Sequence, residues 1–424
     1  MPGISRRTFL RSGVAGGAFL GLPAGAYRAA LLAQEKPSER VRVGSIGVGN
    51  QGGEKNNLRG FQKNVVAVCD VDKNHLAAAA GFVEKAGTRP QTFGDFRKLL
   101  DSKDVDAVVI TTPDHWHALV TIHACQAGKD VYCEKPLTLV VAEGRAMVNA
   151  ARQNNRVVQT GSQQRSAKEF RQACELVRNG AIGKLKTIKV ALPGPNWVGR
   201  AKMPVPDSDP PKALDYDFWL GPAPQRPYNQ NRVHYLFRFF WDYSGGQQTN
   251  FGAHDLDIAQ WALGMDESGP TTVEGTATFN KNGWFETPET ATVTYTYANG
   301  VPVVCTLGKG GGGCTFEGDK GTIHVRRGRI EATPKEILST PPGQVKLYVS
   351  TNHHQNWLEC VKSRKPPICD VEVGHRSATI CHLGNIAIRT GRKITWDPAR
   401  EAIVGDPEAA AMLSKPYRSP WKLA

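Results

Sequence analysis

Glu134-Lys135-Pro136 closes the apolar run Asp130-Val-Tyr-Cys133, and a lysine placed there is a candidate proton-transfer group. Ligands of an open parallel sheet sit at the carboxyl ends of its strands. An amine partly desolvated at such a place loses basicity and can exchange a proton with a substrate hydroxyl. His254, in Gly252-Ala-His-Asp-Leu-Asp-Ile-Ala-Gln-Trp261, is a second candidate. It stands at an expected helix start, where an imidazole either serves as general base for an alcohol or hydrogen-bonds the helix backbone.

A third feature is Gly47-Val-Gly49-Asn50-Gln51-Gly52, directly after Val41–Ile46 and opening a helical region. Glycines of this spacing allow a tight turn and the backbone approach that a pyrophosphate requires. The pattern alone is weak in a chain with 44 glycines, but Asp70 follows Gly52 by 18 residues at the end of the next apolar run. An acid there accepts hydrogen bonds from the adenosine ribose hydroxyls and repels a 2′-phosphate, which favours NAD over NADP. Lys73 nearby leaves NADP open as the second choice.

The stretch from Asp217 to Tyr243 is rich in aromatic rings, arginine and histidine, with Trp219, His234, Tyr235, Arg238 and Trp241. Apolar sugar faces stack on such rings while hydroxyls need fixed donors and acceptors, so the composition suits a carbohydrate cleft, or equally an aromatic core or an oligomer contact. Arg165, Asn196 and Trp197 are further candidates for the same cleft. His353-His354 reads as a helix start, because adjacent side chains rarely face one ligand. No CxxC or HExxH pattern occurs, so no metal site is expected.

These groups need a scaffold, and the apolar pattern supplies one. Short apolar runs at Val41–Gly47, Val65–Asp70, Ala107–Thr111, Val131–Cys133 and Val157–Thr160 alternate with helical stretches at Asn74–Glu84, His117–Gln126 and Ala142–Gln153. Alternation of this kind builds a parallel sheet covered by crossover helices. Beyond about Ser162 the texture changes to an irregular stretch and then successive strands between Thr271 and Val325, with Asn299-Gly300 as a hairpin turn. Late helices are expected at Asn356–Lys362 and His375–Thr390. The fold class is α/β: an N-terminal Rossmann domain over 38–161, and a C-terminal α/β domain over 162–400 with an open, mainly antiparallel sheet. A tail follows over 401–424.

The chain has 424 residues, 40% hydrophobic and 22% charged, an ordinary globular balance. Its net charge of +14 includes four arginines and no acid within the first 33 residues, and no basic run or Arg-rich helix concentrates the remainder. Nucleic-acid binding is therefore not expected. Ser5-Arg-Arg-Thr-Phe-Leu10 followed by a Gly/Ala-rich apolar stretch reads as a twin-arginine export signal over 1–33. That stretch is too short for a membrane span, so a periplasmic rather than an integral membrane protein is expected. Nine scattered cysteines without paired spacing fit buried thiols, since a twin-arginine substrate folds in a reducing compartment.

Taken in order, Gly47–Gly52, Asp70, Thr111-Thr112-Pro113-Asp-His-Trp-His117, Glu134-Lys135-Pro136 and Gly252–Asp257 resemble the Gfo/Idh/MocA family of glucose-fructose oxidoreductase, inositol dehydrogenase and rhizopine catabolism. The resemblance covers nearly the whole mature chain. It implies a cofactor site that includes Thr112, Pro113, His117, Glu134 and Lys135, and homodimer or homotetramer contacts. It also implies oxidation of a secondary hydroxyl of a sugar, glycoside or polyol, with Lys135 and His254 as catalytic groups. Family members resembling inositol dehydrogenase carry an aspartate four residues before the histidine, where this chain has Asn250. An amide can orient an imidazole but cannot stabilise imidazolium as a carboxylate does. Asp257, one turn after His254, is the candidate substitute.

Outside the cytoplasmic membrane there is no soluble nicotinamide pool, so an exported enzyme of this type must recycle tightly held cofactor in place. Two net reactions meet that condition: oxidation of one sugar coupled to reduction of another, and glycoside hydrolysis by oxidation, elimination, hydration and re-reduction. A non-catalytic NAD- or sugar-binding module is the remaining alternative, and Asn250 is its only support.

Overall fold

The computed structural model describes residues 39–195, 205–280, 284–308, 310 and 312–423. The expected export signal over 1–33 and the sugar-cleft candidates Asn196 and Trp197 lie outside these residues.

Six parallel strands form the first sheet: β1 (Val43–Ile46), β2 (Val65–Cys69), β3 (Gln91–Phe93), β4 (Ala107–Ile110), β5 (Asp130–Cys133) and β6 (Val158–Thr160). Their order is β3-β2-β1-β4-β5-β6, the doubly wound arrangement in which the connections diverge between β1 and β4. The central strands are fully buried, as strands covered on both faces are, with β4 apolar throughout and β1 interrupted only by Gly44 and Ser45. Helices Lys73–Glu84, Asp114–Gln126 and Val141–Gln153 make the crossovers. Strand β3 and helix Phe96–Leu100 lie where the apolar pattern marks no element; three residues with two exposed carry too little alternation to announce a strand.

The helical region that the glycine turn opens is short, a three-residue 3-10 turn, Asn50–Gly52, and a four-residue helix, Asn57–Gly60.

The second sheet has nine strands: β7 (Leu185–Pro193), β8 (Thr272–Thr278), β9 (Thr290–Thr296), β10 (Pro302–Gly308), β11 (Gly313–Gly318), β12 (Thr322–Arg326), β13 (Arg329–Thr333), β14 (Ile394–Asp397) and β15 (Ala402–Val404). Their order is β13-β12-β11-β7-β10-β9-β8-β14-β15, antiparallel except where β7 meets β10. Gly300 turns the β9–β10 hairpin at φ 78° while Val301 N–H donates to Asn299 Oδ1. One face of this sheet packs on helices Lys168–Arg178, Gly252–Leu263 and Val371–Thr390 in a single core. All nine cysteines are free and buried.

Candidate active site

One cavity of about 840 Å³ runs along the carboxyl ends of β1, β2, β4 and β5 and is closed on its far side by the second domain. The divergence of connections between β1 and β4 creates the crevice, and each strand end delivers one group to it.

From β1 comes the glycine turn. Gly47 stands at φ 78°, and a Cβ on Gly52 would lie 1.9 Å from the Gly47 carbonyl oxygen, so this turn exists only with glycine at both places. Gly47, Gly49, Asn50 and Gln51 line the cavity, with Gly52 packed beneath them. From β2 comes Asp70, whose two oxygens accept from Val48 N–H at 2.8 Å and Asp72 N–H at 2.9 Å. Each carboxylate oxygen keeps a second lone-pair direction, which is what a ribose diol needs. Cradle and carboxylate together fit a nicotinamide dinucleotide, which when bound supplies hydride transfer.

From β4 come Thr112 and Pro113, both on the cavity wall, and the buried His117. Both ring nitrogens of His117 are spent on carbonyl oxygens, Nδ1 on Pro136 at 2.8 Å and Nε2 on Thr112 at 2.9 Å. Burial opposes its protonation, but the Cys133 sulfur, Asp114 and the Pro136 carbonyl outweigh that and push it up to about 10. His117 thus ties the turn after β4 to the turn after β5. Asp114 beside it is also buried on the cavity wall, its carboxyl raised by burial against the pull of His117 and the Ser244 hydroxyl, which donates at 2.5 Å.

From β5 come Glu134 and Lys135. Glu134 is clamped by amides, accepting from Asn57 Nδ2 at 3.0 Å and Gln163 Nε2 at 2.8 Å. Lys135 Nζ donates to the side-chain oxygen of Asn250 at 2.9 Å and to its backbone carbonyl at 3.0 Å. Burial lowers Lys135 to about 8; Glu134 and Asp114 pull it back, and Arg238 and Arg327 reinforce the drop. A neutral amine has two N–H bonds, enough for both Asn250 contacts, and its lone pair remains to take a proton.

Asn250 and His254 come from a bend between two helices of the second domain, Gln247–Asn250 and Gly252–Leu263. The Asn250 side chain is spent on Lys135 and on Gln247, so it orients the lysine and not the imidazole. The His254 ring reaches the same cavity, is nearly buried, and leaves Nδ1 without a hydrogen-bond partner among the described residues. Burial, then the charges of Lys135 and Arg327, drive it well below the usual histidine range, so the ring is neutral. An amine lowered to about 8, which sheds its proton in the mildly alkaline range, and a neutral imidazole face one cavity and form a set that can relay the proton of a carbinol.

Three expected site residues lie elsewhere. Asp257 points away from His254: both oxygens hold Arg165, at 2.8 and 2.7 Å, and one also accepts from Ser377. Arg165 is 2% exposed, bonded also to Asp266 and stacked on Trp261 at 5.0 Å, so it serves the second domain's core and not a sugar. Trp241 lies under Arg389 at 4.6 Å, outside the cavity. Trp219, His234 and Tyr235 do line the cavity, but His234 stands at the Asp70 end: its Nε2 is 3.5 Å from Asp72 and its ring packs edge-on against His75. Asp72, His75 and His234 hold their ligand atoms within 4.8 Å of one another, a metal-compatible spacing that no sequence motif announces. Sequence reasoning also missed Asp114, although it sits inside the Thr111–His117 segment, and Arg327, which a β-turn delivers from 192 residues beyond Lys135 with no local signal.

Residues 41–162 match the family model of the oxidoreductase family's NAD-binding Rossmann fold, and 166–423 that of its C-terminal α/β domain. Inositol 2-dehydrogenase from Salmonella paratyphi B is 32% identical over 150 residues, 34% of this chain and 43% of that protein. A glycosyl hydrolase family 109 protein from Shewanella putrefaciens is 32% identical over 155 residues, 34% of this chain and 33% of that protein. The chain thus spans less than half the length of these curated relatives. Among solved structures, the WlbA dehydrogenase from Bordetella pertussis, in complex with NADH and UDP-GlcNAcA, superposes with a TM-score of 0.64 at 20% identity over 84% of this chain and 99% of that one, a likeness of fold.

Proposed function

Because the chain belongs to the Gfo/Idh/MocA oxidoreductase family, we propose that it removes hydride from a secondary hydroxyl of a sugar, glycoside or polyol, using NAD that stays bound and is recycled in place. The observation that carries this reading is Lys135: an amine lowered to about 8, aimed by Asn250 into the cavity that holds the glycine turn and Asp70. Lys135 takes the hydroxyl proton, and neutral His254 on the second-domain wall positions that hydroxyl and relays the proton onward. The inositol dehydrogenase relatives support the substrate class. The export motif of residues 5–10 supports a periplasmic location, and that location in turn supports cofactor retention.

The hydrolytic reading is favoured by one finding, the similarity to a glycosyl hydrolase family 109 protein. Both readings begin with the same oxidation, and an aryl glycoside separates them. Aglycone release without net NADH, with solvent deuterium entering next to the oxidised carbon, supports hydrolysis; a stable keto sugar supports the dehydrogenase.

A further inference from the structure

The short helical start after the glycine turn leaves a charge to be answered. A helix macrodipole grows from aligned peptides, and four residues at Asn57–Gly60 provide little of it. A pyrophosphate brings two negative charges into a half-enclosed groove, where hydrogen bonds to charged donors are the strong ones. The groove beside the Gly49–Asn56 turn is faced by Tyr235 and Arg238, both from the second domain. Arg238 is held in place there, stacked on Tyr235 at 4.6 Å and Phe237 at 4.7 Å, with Nη1 donating to the Tyr235 carbonyl at 2.8 Å. Its guanidinium fork matches phosphate oxygens bidentately.

The same segment is fastened at the adenosine end. Lys73 N–H donates to the Ala213 carbonyl at 2.9 Å and Asp215 N–H to the Val71 carbonyl at 3.0 Å, an antiparallel bridge of Asp72 with Leu214 immediately after Asp70. His234 adopts φ 53°, a conformation that costs a non-glycine residue energy, and so presents its ring to Asp72 and His75. Leu214, His234, Tyr235 and Arg238 all line the cavity that contains Asp70 and the glycine turn.

We propose that segment 213–238 is the second domain's half of the dinucleotide site: Arg238 pairs with the pyrophosphate and His234, against His75, closes the adenosine end, so the cofactor leaves only when the segment lifts. This rests on the cofactor reading and gives cofactor retention a physical cause.

The test uses the full protein stripped of nucleotide, with NADH, ADP and adenosine as probes, and reads affinity by calorimetry and NADH release by stopped-flow fluorescence. If NADH fails to bind the wild type, the cofactor reading itself falls. If it binds, Arg238→Ala is expected to weaken ADP 10- to 100-fold and speed NADH release at least tenfold while adenosine stays within twofold, and Arg238→Lys to recover part of the loss. His234→Ala is expected to speed release of NADH and to weaken adenosine. Equal losses for ADP and adenosine in Arg238→Ala, or no change in either variant, would overturn the proposal. So would stoichiometric zinc in the wild type that disappears from His234→Ala, because the Asp72-His75-His234 cluster would then be a metal site.

Discussion

Replacing Asn250 by aspartate changes one atom and places a carboxylate 2.9 Å from Lys135 Nζ. At that distance Coulomb's law with an effective dielectric of about 20 gives roughly 6 kcal/mol, an upper bound of about four pKa units. Opposite charges at such range shift groups by about one to three units in practice. Asn250→Asp therefore raises Lys135 from about 8 to the range of an ordinary lysine or above. The amide contact with Gln247 Oε1 at 2.9 Å is lost, and a flip of the Gln247 amide to restore it would sacrifice the bond from its Nε2 to the Gly194 carbonyl at 2.8 Å, so circular dichroism of the variant is compared with the wild type first. Reductive methylation with formaldehyde across pH 6–11, read by mass spectrometry at the Lys135 peptide, reports the amine's titration without need of a substrate. The expected result is an apparent pKa at least one unit higher in the variant, with the acid limb of any turnover profile moved alkaline by the same amount. An apparent pKa equal to or below that of the wild type would refute the reasoning that the amide keeps Lys135 available as a base.

The geometry sets three other expectations. Gly52→Ala drives a methyl into the Gly47 carbonyl and is expected to weaken NADH binding more than tenfold in a fluorescence titration, with secondary structure by circular dichroism unchanged. Arg165→Ala strands a buried Asp257 carboxylate, which costs about 3–5 kcal/mol; denaturant unfolding should show that loss, while KM of the folded variant stays within about twofold of the wild type because Arg165 does not face the cavity. Glu143 is raised by burial to about 7 although Tyr417 donates to it. The folded protein thus holds this proton more tightly than the unfolded chain, and stability falls as pH rises from about 4.5 through 7, by about 3 kcal/mol in full. Glu143→Gln should flatten that part of the denaturation profile measured between pH 5 and 8.

Local chemistry was legible in the sequence and long-range pairing was not. The glycine turn, Asp70 and Lys135 each sit at the end of an apolar run, so strand periodicity places them on one edge of a parallel sheet without further information. Asp257 misled because a spacing of one helical turn from His254 says nothing about Arg165, which reaches it from 92 residues away and claims both of its oxygens. His234 and Tyr235 read by composition as sugar ligands, core or oligomer contacts, and composition says nothing of the bridge between Asp72 and Leu214 that fastens their segment beside the Asp70 strand end. The short helix after Gly52 was hidden because a glycine fingerprint specifies a turn and not the length of the helix behind it.

The most direct test of the central claim is anaerobic incubation of NAD-loaded protein with a panel of polyols, sugars and aryl glycosides, reading reduced dinucleotide and keto products by mass spectrometry beside a Lys135→Ala variant shown to retain the dinucleotide. The account predicts oxidation of at least one carbinol by the wild type and at least a hundredfold less by the variant. Loaded wild type inert to the whole panel, or a Lys135→Ala variant turning over at the wild-type rate, would contradict it.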